Sequence, residues 1–247
     1  VRDERIRSTK LGKLLPEDEW QATGGHDGEN DKFYKYRDQR ANVSAFLEHD
    51  VLLKQWTVSL GLMANLNDGL DTKWRFYPGI DVSYRPTEAW KLFVSWNMGL
   101  RMPTFTDLYY SGANIEGNSE LKPEKTTDYQ IGGRYTTRGF IAEVQGFYSH
   151  KKNMIDWVTY NDANKVSDGI FHSVNFQMDN KGAEINLQML PRQLWGDNAL
   201  VRKIGVQYSY IYEESDYDVD VIMSKYAMDY LRHKVIVSAD SKIWKNL

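Results

Sequence analysis

The sequence predicts an all-β fold, a transmembrane antiparallel β-barrel, on three observations. Segments of about ten residues alternate apolar and polar side chains, the period of two that a strand imposes. The connections between them are alternately short and long, as tight turns on one side of a membrane and large loops on the other require. Outward aromatic residues (Trp56, Tyr84, Trp90, Tyr135 and Phe140) fall where strands meet the short connections, the place of an interfacial girdle.

Val1 to Lys10 reads as the tail of a strand, and Leu11 to Lys35 as a polar loop holding Pro16, Gly24, Gly25 and Gly28. Arg40 to Val51 sets Ala41, Val43, Ala45, Leu47 and Val51 against Asn42, Ser44, Phe46, Glu48 and Asp50. A short turn, Leu52 to Gln55, leads into Trp56 to Leu66, with Val58, Leu60, Leu62 and Ala64 on its apolar face. Asn67 to Lys73 is a longer loop. Trp74 to Arg85 returns with Phe76, Ile80, Val82 and Tyr84 outward, and Arg85 to Ala89 is again short.

Trp90 to Arg101 is the clearest strand: Trp90, Leu92, Val94, Trp96, Met98 and Leu100 lie on one face, Lys91, Phe93, Ser95, Asn97, Gly99 and Arg101 on the other. Its ten steps of ~3.3 Å, tilted by ~40°, span roughly 25 Å along the membrane normal, the height of a lipid-facing band. A soluble β-sandwich also alternates, but its strands average ~5–6 residues and need no girdle. Such a sandwich would fold without detergent.

Beyond the loop that follows, strand order resumes by Asp128, with Tyr129, Ile131, Gly133 and Tyr135 on one face. Thr136 to Gly139 is tight, and Phe140 to Lys151 sets Ala142, Val144, Gly146 and Tyr148 against Glu143, Gln145, Phe147 and Ser149. Lys152 to Met178 reads as a long loop with room for strand extensions beyond the membrane. Asp179 to Leu190 alternates, Pro191 to Ala199 turns, Val201 to Tyr212 alternates, Glu213 to Asp229 is an acidic loop and Tyr230 to Ala239 is a last strand.

Composition bounds these readings. The chain has 247 residues, 41% hydrophobic and 26% charged, with a mean hydropathy of -0.60. No run approaches ~18 apolar residues, which excludes a helical membrane bundle but not a barrel, where only alternate residues face lipid. A net charge of -3 gives no reason to propose a nucleic-acid partner. The absence of cysteine excludes disulfides and thiolate metal sites. No signal peptide opens the sequence, which on the barrel reading implies an internal fragment.

The loop after Arg101 is rich in turn residues, from Pro103 through Gly112, Asn114, Gly117, Asn118 and Ser119 to Pro123. Its two ends resemble the paired signatures of TonB-dependent outer-membrane receptors, an aromatic-Arg-Ala-Pro-Thr segment and, about twenty residues on, an Asn-Pro-acid-Leu-Lys-Pro-Glu segment. Arg101, Pro103, Thr104, Phe105, Asp107, Leu108 and Tyr109 match the first, with Leu100 and Met102 in place of the usual aromatic and alanine. Gly117, Asn118, Glu120, Leu121, Lys122, Pro123 and Glu124 match the second, with Ser119 where proline is usual.

That resemblance implies that residues 1–247 are part of one barrel domain, about nine strands of the ~22 in such plugged transporters, without the plug and the final strands. It implies a Gram-negative outer membrane and active import, with TonB recruited through an N-terminal region outside this chain. The implied partners are the TonB complex, outer-membrane lipid and a small-molecule ligand, while a surface lipoprotein lid is left open by the sequence. Cobalamin or a related corrinoid is the first ligand, from a loose likeness to corrinoid receptors around Arg7, Ser8 and Thr9 and the central loop; a ferric siderophore is the second. Haem receptors of this family typically carry a histidine between the two motifs, and none lies between Arg101 and Leu121, which disfavours haem.

No P-loop, nucleophile elbow, HExxH helix or Rossmann fingerprint is present, so neither an enzyme nor a cofactor is expected. Asp216, Asp218 and Asp220 have calcium-loop spacing, but Val221 and Ala227 stand at its sixth and twelfth positions. His26 and His172 read as loop histidines. Tyr109, Tyr110, Trp157, Tyr160, Phe171 and Tyr217 are the candidates for contacting a large, partly apolar ligand, with loop-on-loop packing as the competing role. Arg101, Arg134, Glu143 and Glu184 read as polar groups of the lumen wall, which the resemblance implies pair with one another and with a plug domain. The alternative from another class is a small complete barrel of about ten strands, a hydrolase or adhesin. It needs Val1 to Leu11 as its first strand and a final strand after Ile236.

Overall fold

The computed structural model describes residues 2–9, 34–68, 73–110, 112–162, 164–196, 199–226 and 230–241. Most of the polar loop expected over Leu11 to Lys35, with His26, and the end of the acidic loop, with Ala227, lie outside the described residues. The strands are β1 (Arg2–Thr9), β2 (Tyr34–Leu52), β3 (Trp56–Asn67), β4 (Arg75–Tyr84), β5 (Trp90–Arg101), β6 (Ile115–Glu116), β7 (Glu124–Thr136), β8 (Phe140–Asn161), β9 (Phe171–Met189), β10 (Val201–Asp216), β11 (Asp220–Ser224) and β12 (His233–Ser241). Ten of them form an antiparallel wall in the order β1-β2-β3-β4-β5-β7-β8-β9-β10-β12, while β6 and β11 pair off that path. Among the described residues the wall thus has ten strands, in keeping with the expectation of about nine.

Both faces of the wall obey the expected alternation, and the apolar face is exposed. Val94 is 48% exposed and its cross-strand partner Ile131 is 66% exposed. A sandwich would bury one such face against a second sheet. The opposite face carries polar side chains that bond from strand to strand. Gln130 Nε2 donates to Gln145 Oε1 at 2.7 Å, and Gln145 Nε2 to Glu184 Oε2 at 2.6 Å. Arg134 lies 3.7 Å from Glu143, which is the wall pairing the sequence led us to expect.

The girdle positions pair across strands. Trp56 stacks on Tyr84 with ring centroids 4.4 Å apart, and Trp90 meets Tyr135 at 4.8 Å. The short turns are tied to each other, with Arg85 N donating to Gln55 O at 2.7 Å and Thr136 N to Ala89 O at 2.8 Å. The connection at Pro191 to Ala199 is not a simple turn. It contains a helical segment, α2 (Pro191–Trp195), started by a proline whose missing N–H costs nothing at a helix start. Leu194 from this segment leaves no room for a Cβ at Gly139 in the neighbouring turn.

On the polar face two aromatic rings lie over glycines. A Cβ on Gly132 would stand 2.4 Å from Phe93 Cζ, and one on Gly182 would stand 2.6 Å from Phe147 Cζ. Each is a directly opposed cross-strand pair, so the missing side chain makes the berth for the ring.

The loops differ most from the sequence reading. β7 begins at Glu124, four residues before Asp128, and β8 and β9 together reduce the long loop to residues 162–170. The acidic loop contains β11. Strand extensions leave backbone donors and acceptors unpaired at their edges, and segments read as irregular are drawn in to satisfy them. Of the buried apolar residues, Leu121, Ile155, Trp157, Val158 and Phe176 sit here, above the wall, with Met178 at its upper edge, whereas Tyr77 is buried within the wall on β4.

Candidate functional site

The part of β8 and β9 that rises past the wall is the centre of a crown. β8 has a one-residue bulge between Lys151 and Met154, where Asn153 adopts a positive φ of 55°. Beyond it Ile155 opposes Asn175 and Trp157 opposes Ser173, while Met154 opposes Phe176 and Asp156 opposes Val174. These two sets alternate, so they occupy opposite faces of the hairpin.

Residues 102–123 cross the first of those faces. Thr104 and Asp107 form a capping box at the start of α1 (Phe105–Tyr109), with Thr104 N 2.9 Å from Asp107 Oδ2 and Asp107 N 3.1 Å from Thr104 Oγ1. Asp107 O then accepts from fully buried Ser173 Oγ at 2.7 Å and from Asn118 N at 3.0 Å. Asn175 reads the second motif through the backbone of Lys122, accepting from its N–H at 2.8 Å and donating to its carbonyl at 3.0 Å. Pro123 O accepts from Asn153 at 3.2 Å, and Leu121 is buried. A Cβ at Gly117 would sit 2.9 Å from the Asp107 carbonyl oxygen, so the close approach of loop to helix admits only glycine.

Residues 217–224 cross the other face. Tyr217 stacks on Phe176 at 4.4 Å, and its hydroxyl donates to Asp156 Oδ2 at 3.1 Å. Ser224 Oγ also donates to Asp156, which has no exposed surface and takes a third hydrogen bond, from Trp157 N at 2.7 Å. Burial, with the Asp156 charge beside it, pushes the Tyr217 phenol above its ordinary range. The hydroxyl therefore stays a donor.

The two crossings exchange sides. In the wall β8 and β9 lie between β7 and β10, whereas in the crown they lie between β11 and β6. β11 takes the β8 edge that β7 has left, with Ser224 opposite Val158, and β6 runs parallel along the free edge of β9, with Ile115 opposite Phe171. Glu124 bridges the gap at the β7–β11 junction by accepting from Ile155 N at 2.9 Å.

Most motif residues thus hold the loop together: Thr104, Asp107, Asn118, Leu121, Pro123 and Glu124 bond or bury within the crown. Leu108 is half-buried, Lys122 is exposed but fixed through its backbone, and Pro103 O accepts from buried Arg40 at 2.6 Å. Of the proposed ligand contacts, Trp157 is buried and Tyr217 is half-buried under its stacking partner. Tyr160 tilts against His172 at 5.3 Å, Lys225 Nζ lies 4.5 Å over the Phe171 ring, Tyr109 is half-buried beside Phe105, and Tyr110 is 46% exposed. Asp156, Ser173, Asn153 and Asn175 escaped the sequence reading. An acid set between Ile155 and Trp157 was the available signal for the first of them.

Below α1 the wall holds a concavity of about 340 Å³ lined by Arg40, Asn42, Asn65, Asn67, Arg101 and Thr104. Asn65 Nδ2 donates to Asn42 Oδ1 at 2.9 Å and to Ser44 Oγ at 3.0 Å. The lining is mixed: three amides, two guanidinium groups and two hydroxyls share it with Met63, Leu100 and Met102. Asp216 ends β10 and Asp220 starts β11, where it accepts from Asn161 at 2.9 Å. No cluster of three metal-ligating side chains occurs among the described residues.

Comparison with known proteins places this architecture. A vitamin B12 transporter, BtuB of Photobacterium profundum, is 23% identical over 211 residues, covering 73% of this chain and 34% of that protein. The siderophore receptor PirA of Acinetobacter baumannii superposes with a TM-score of 0.62 at 15% identity, over 90% of this chain and 35% of that one. A variant of the ferric enterobactin receptor PfeA of Pseudomonas aeruginosa gives 0.58 at 19% identity, over 85% and 31%. The chain spans about a third of the length of each of these relatives. Residues 9–242 match the family described as TonB dependent receptor-like, β-barrel, and the chain belongs to that family.

Proposed function

We propose that this chain supplies ten wall strands and part of the outer crown of a Gram-negative outer-membrane receptor that imports a large, scarce nutrient with energy delivered through TonB. A corrinoid is the first substrate and a ferric siderophore the second. The observation that carries the reading is the position of the crown: a packed loop assembly that carries Tyr109 and Tyr110 stands above a hydrogen-bonded polar wall, and a concavity in that wall is lined in part by Asn42, Asn65 and Asn67. Aromatic faces supply area to a large ring system at low entropy cost, and amides pair with the carboxamides around a corrin. The sequence likeness to a vitamin B12 transporter supports the same order of substrates. The wall and crown perform no covalent chemistry in this reading. They bind, orient and admit, while a plug supplied by the rest of the receptor opens the path.

The test uses the full-length receptor in detergent, incubated separately with cyanocobalamin and with a ferric siderophore. The reading expects saturable retention of cyanocobalamin, weakened about tenfold or more when Tyr109 and Tyr110 are both changed to alanine, the loss of one to two aromatic contacts. Retention of the siderophore alone would exchange the substrates, and retention of neither would overturn both.

A further inference from the structure

The lipid-facing side of the wall ends in an arrangement of cations that a purely apolar band does not require. Lys125 on β7 stands directly opposite Lys152 on β8, and both are exposed. They belong to the same alternating face as Ile131 and Val144, while their neighbour Lys151 points to the polar side. Two like charges directly opposed across a strand pair repel. Neither lysine forms an ion pair among the described residues.

Down the same face the next rows hold His150 and then Tyr148, Tyr129 and Lys181, with Tyr148 opposite both Tyr129 and Lys181. Eight residues along β9 separate Lys181 from Met189 in the girdle row, ~20 Å of height at ~3.3 Å per residue and ~40° of tilt. Between them the outward residues are Ala183, Ile185 and Leu187. Lys181 is therefore the first outward charge of its strand, at the far rim of the ~25 Å band. The outward carboxylates nearby are Asp179 and Glu214. Asp179 is turned to Tyr148 Oη at 2.9 Å and His150 Nδ1 at 2.6 Å.

We infer that Lys125, Lys152 and Lys181, with His150 between them and Tyr129 and Tyr148 at their base, form a binding site for the phosphate groups of an outer-leaflet lipid headgroup. A phosphate set between Lys125 and Lys152 removes their repulsion, and the tyrosines pack against the start of the acyl region, as interfacial aromatics do. The inference rests on the outer-membrane reading of the wall and is independent of which ligand is imported.

The experiment is native mass spectrometry of the full-length receptor extracted from outer membranes, which reads co-purified phosphorylated lipid directly. Changing Lys125, Lys152 and Lys181 together to glutamine should reduce lipid retention at least fivefold, whereas the three arginine replacements should retain it. Lys151→Gln, which removes a neighbouring charge on the opposite face, should leave it unchanged. Equal retention by the glutamine variant, or loss of equal size in Lys151→Gln, would overturn the site. Displacement of the lipid by millimolar inorganic phosphate would show a site for soluble anions and overturn the lipid assignment. A receptor absent from the outer-membrane fraction would refute the inference together with the reading it rests on.

Discussion

Arg101 and Glu124 close the loop they bound. The guanidinium at the end of β5 meets the carboxylate at the start of β7 in a two-pronged ion pair, Nε to Oε2 at 2.6 Å and Nη2 to Oε1, and that second oxygen also accepts Ile155 N at 2.9 Å. The two family motifs therefore act on each other, and through Ile155 they anchor the β8–β9 extension.

Glu124→Ala should loosen the crown without unfolding the wall. Glu124 is buried, and its loss leaves the Ile155 N–H without an acceptor, at ~1–3 kcal/mol. Arg101 is half exposed, so its own loss of a partner adds little. Hydrogen exchange should accelerate at residues 153–157 and stay unchanged in β3 to β5. Acceleration throughout the wall would mean that the pair supports the barrel as a whole.

Asp156→Ala should release β11. The substitution removes the acceptor shared by the Tyr217 hydroxyl, Ser224 Oγ and Trp157 N, at ~1–3 kcal/mol for each buried donor that finds no other partner. Limited proteolysis should then cut within 217–226 while residues 102–123 remain protected. Simultaneous cutting of both segments would mean that the two crossings are one cooperative unit.

Facing is tested on β5. Val94→Arg puts a charge near the middle of the lipid band, at ~2–4 kcal/mol, whereas Ser95→Arg enters the polar side at far less. Urea unfolding in lipid vesicles separates these. Equal effects would reverse the assignment of faces.

Gly182→Val should be more damaging than its small size suggests. The new Cβ would lie 2.2 Å from Tyr210 O, a backbone atom of β10 that cannot step aside, besides displacing Phe147. Overpacking of this kind costs ~1–3 kcal/mol. A wild-type midpoint in urea would contradict the close approach of β9 and β10.

The loop between β8 and β9 should respond to acid in a definite window. Val166 N–H, followed by Asn164, holds the Asp162 carboxyl below its ordinary range, and Ile170 N–H, followed by His172, does so for Asp168. Folded values below the unfolded ones mean that this stabilisation is complete above about pH 4 and is lost only as pH falls through the lower folded values. Exchange at Val166 and Ile170, corrected for intrinsic rates, should hold steady from pH 7 to about pH 5 and rise below about pH 4. A rise already complete at pH 5 would assign the loop's order to other groups.

The wall was legible in the sequence because its information is local. The alternation from Trp90 to Leu100 and the aromatics at Trp56, Tyr84 and Tyr135 need no knowledge of distant partners. The crown was not, because its pairings join residues far apart along the chain, Ile115 with Phe171 and Ser224 with Val158, and depend on edges exposed by the bulge at Asn153. The motif residues were legible as a resemblance, and their work became visible only when Ser173 and Asn175 were seen to hold them. A signal that was present and passed over is the Thr104 to Asp107 spacing of a capping box.

The most direct test of a membrane-spanning wall is a nitroxide scan along β5 in the full-length receptor reconstituted in vesicles, with any cysteine outside this cysteine-free chain replaced first. Single labels at each position from Trp90 to Arg101 are read for collision with oxygen, which concentrates in lipid, and with a water-soluble nickel complex. The account predicts a period of two, with oxygen favoured at Trp90, Leu92, Val94, Trp96 and Met98 and peaking near Val94. Uniform access along the strand, or oxygen favoured at Lys91, Phe93 and Ser95, would contradict it.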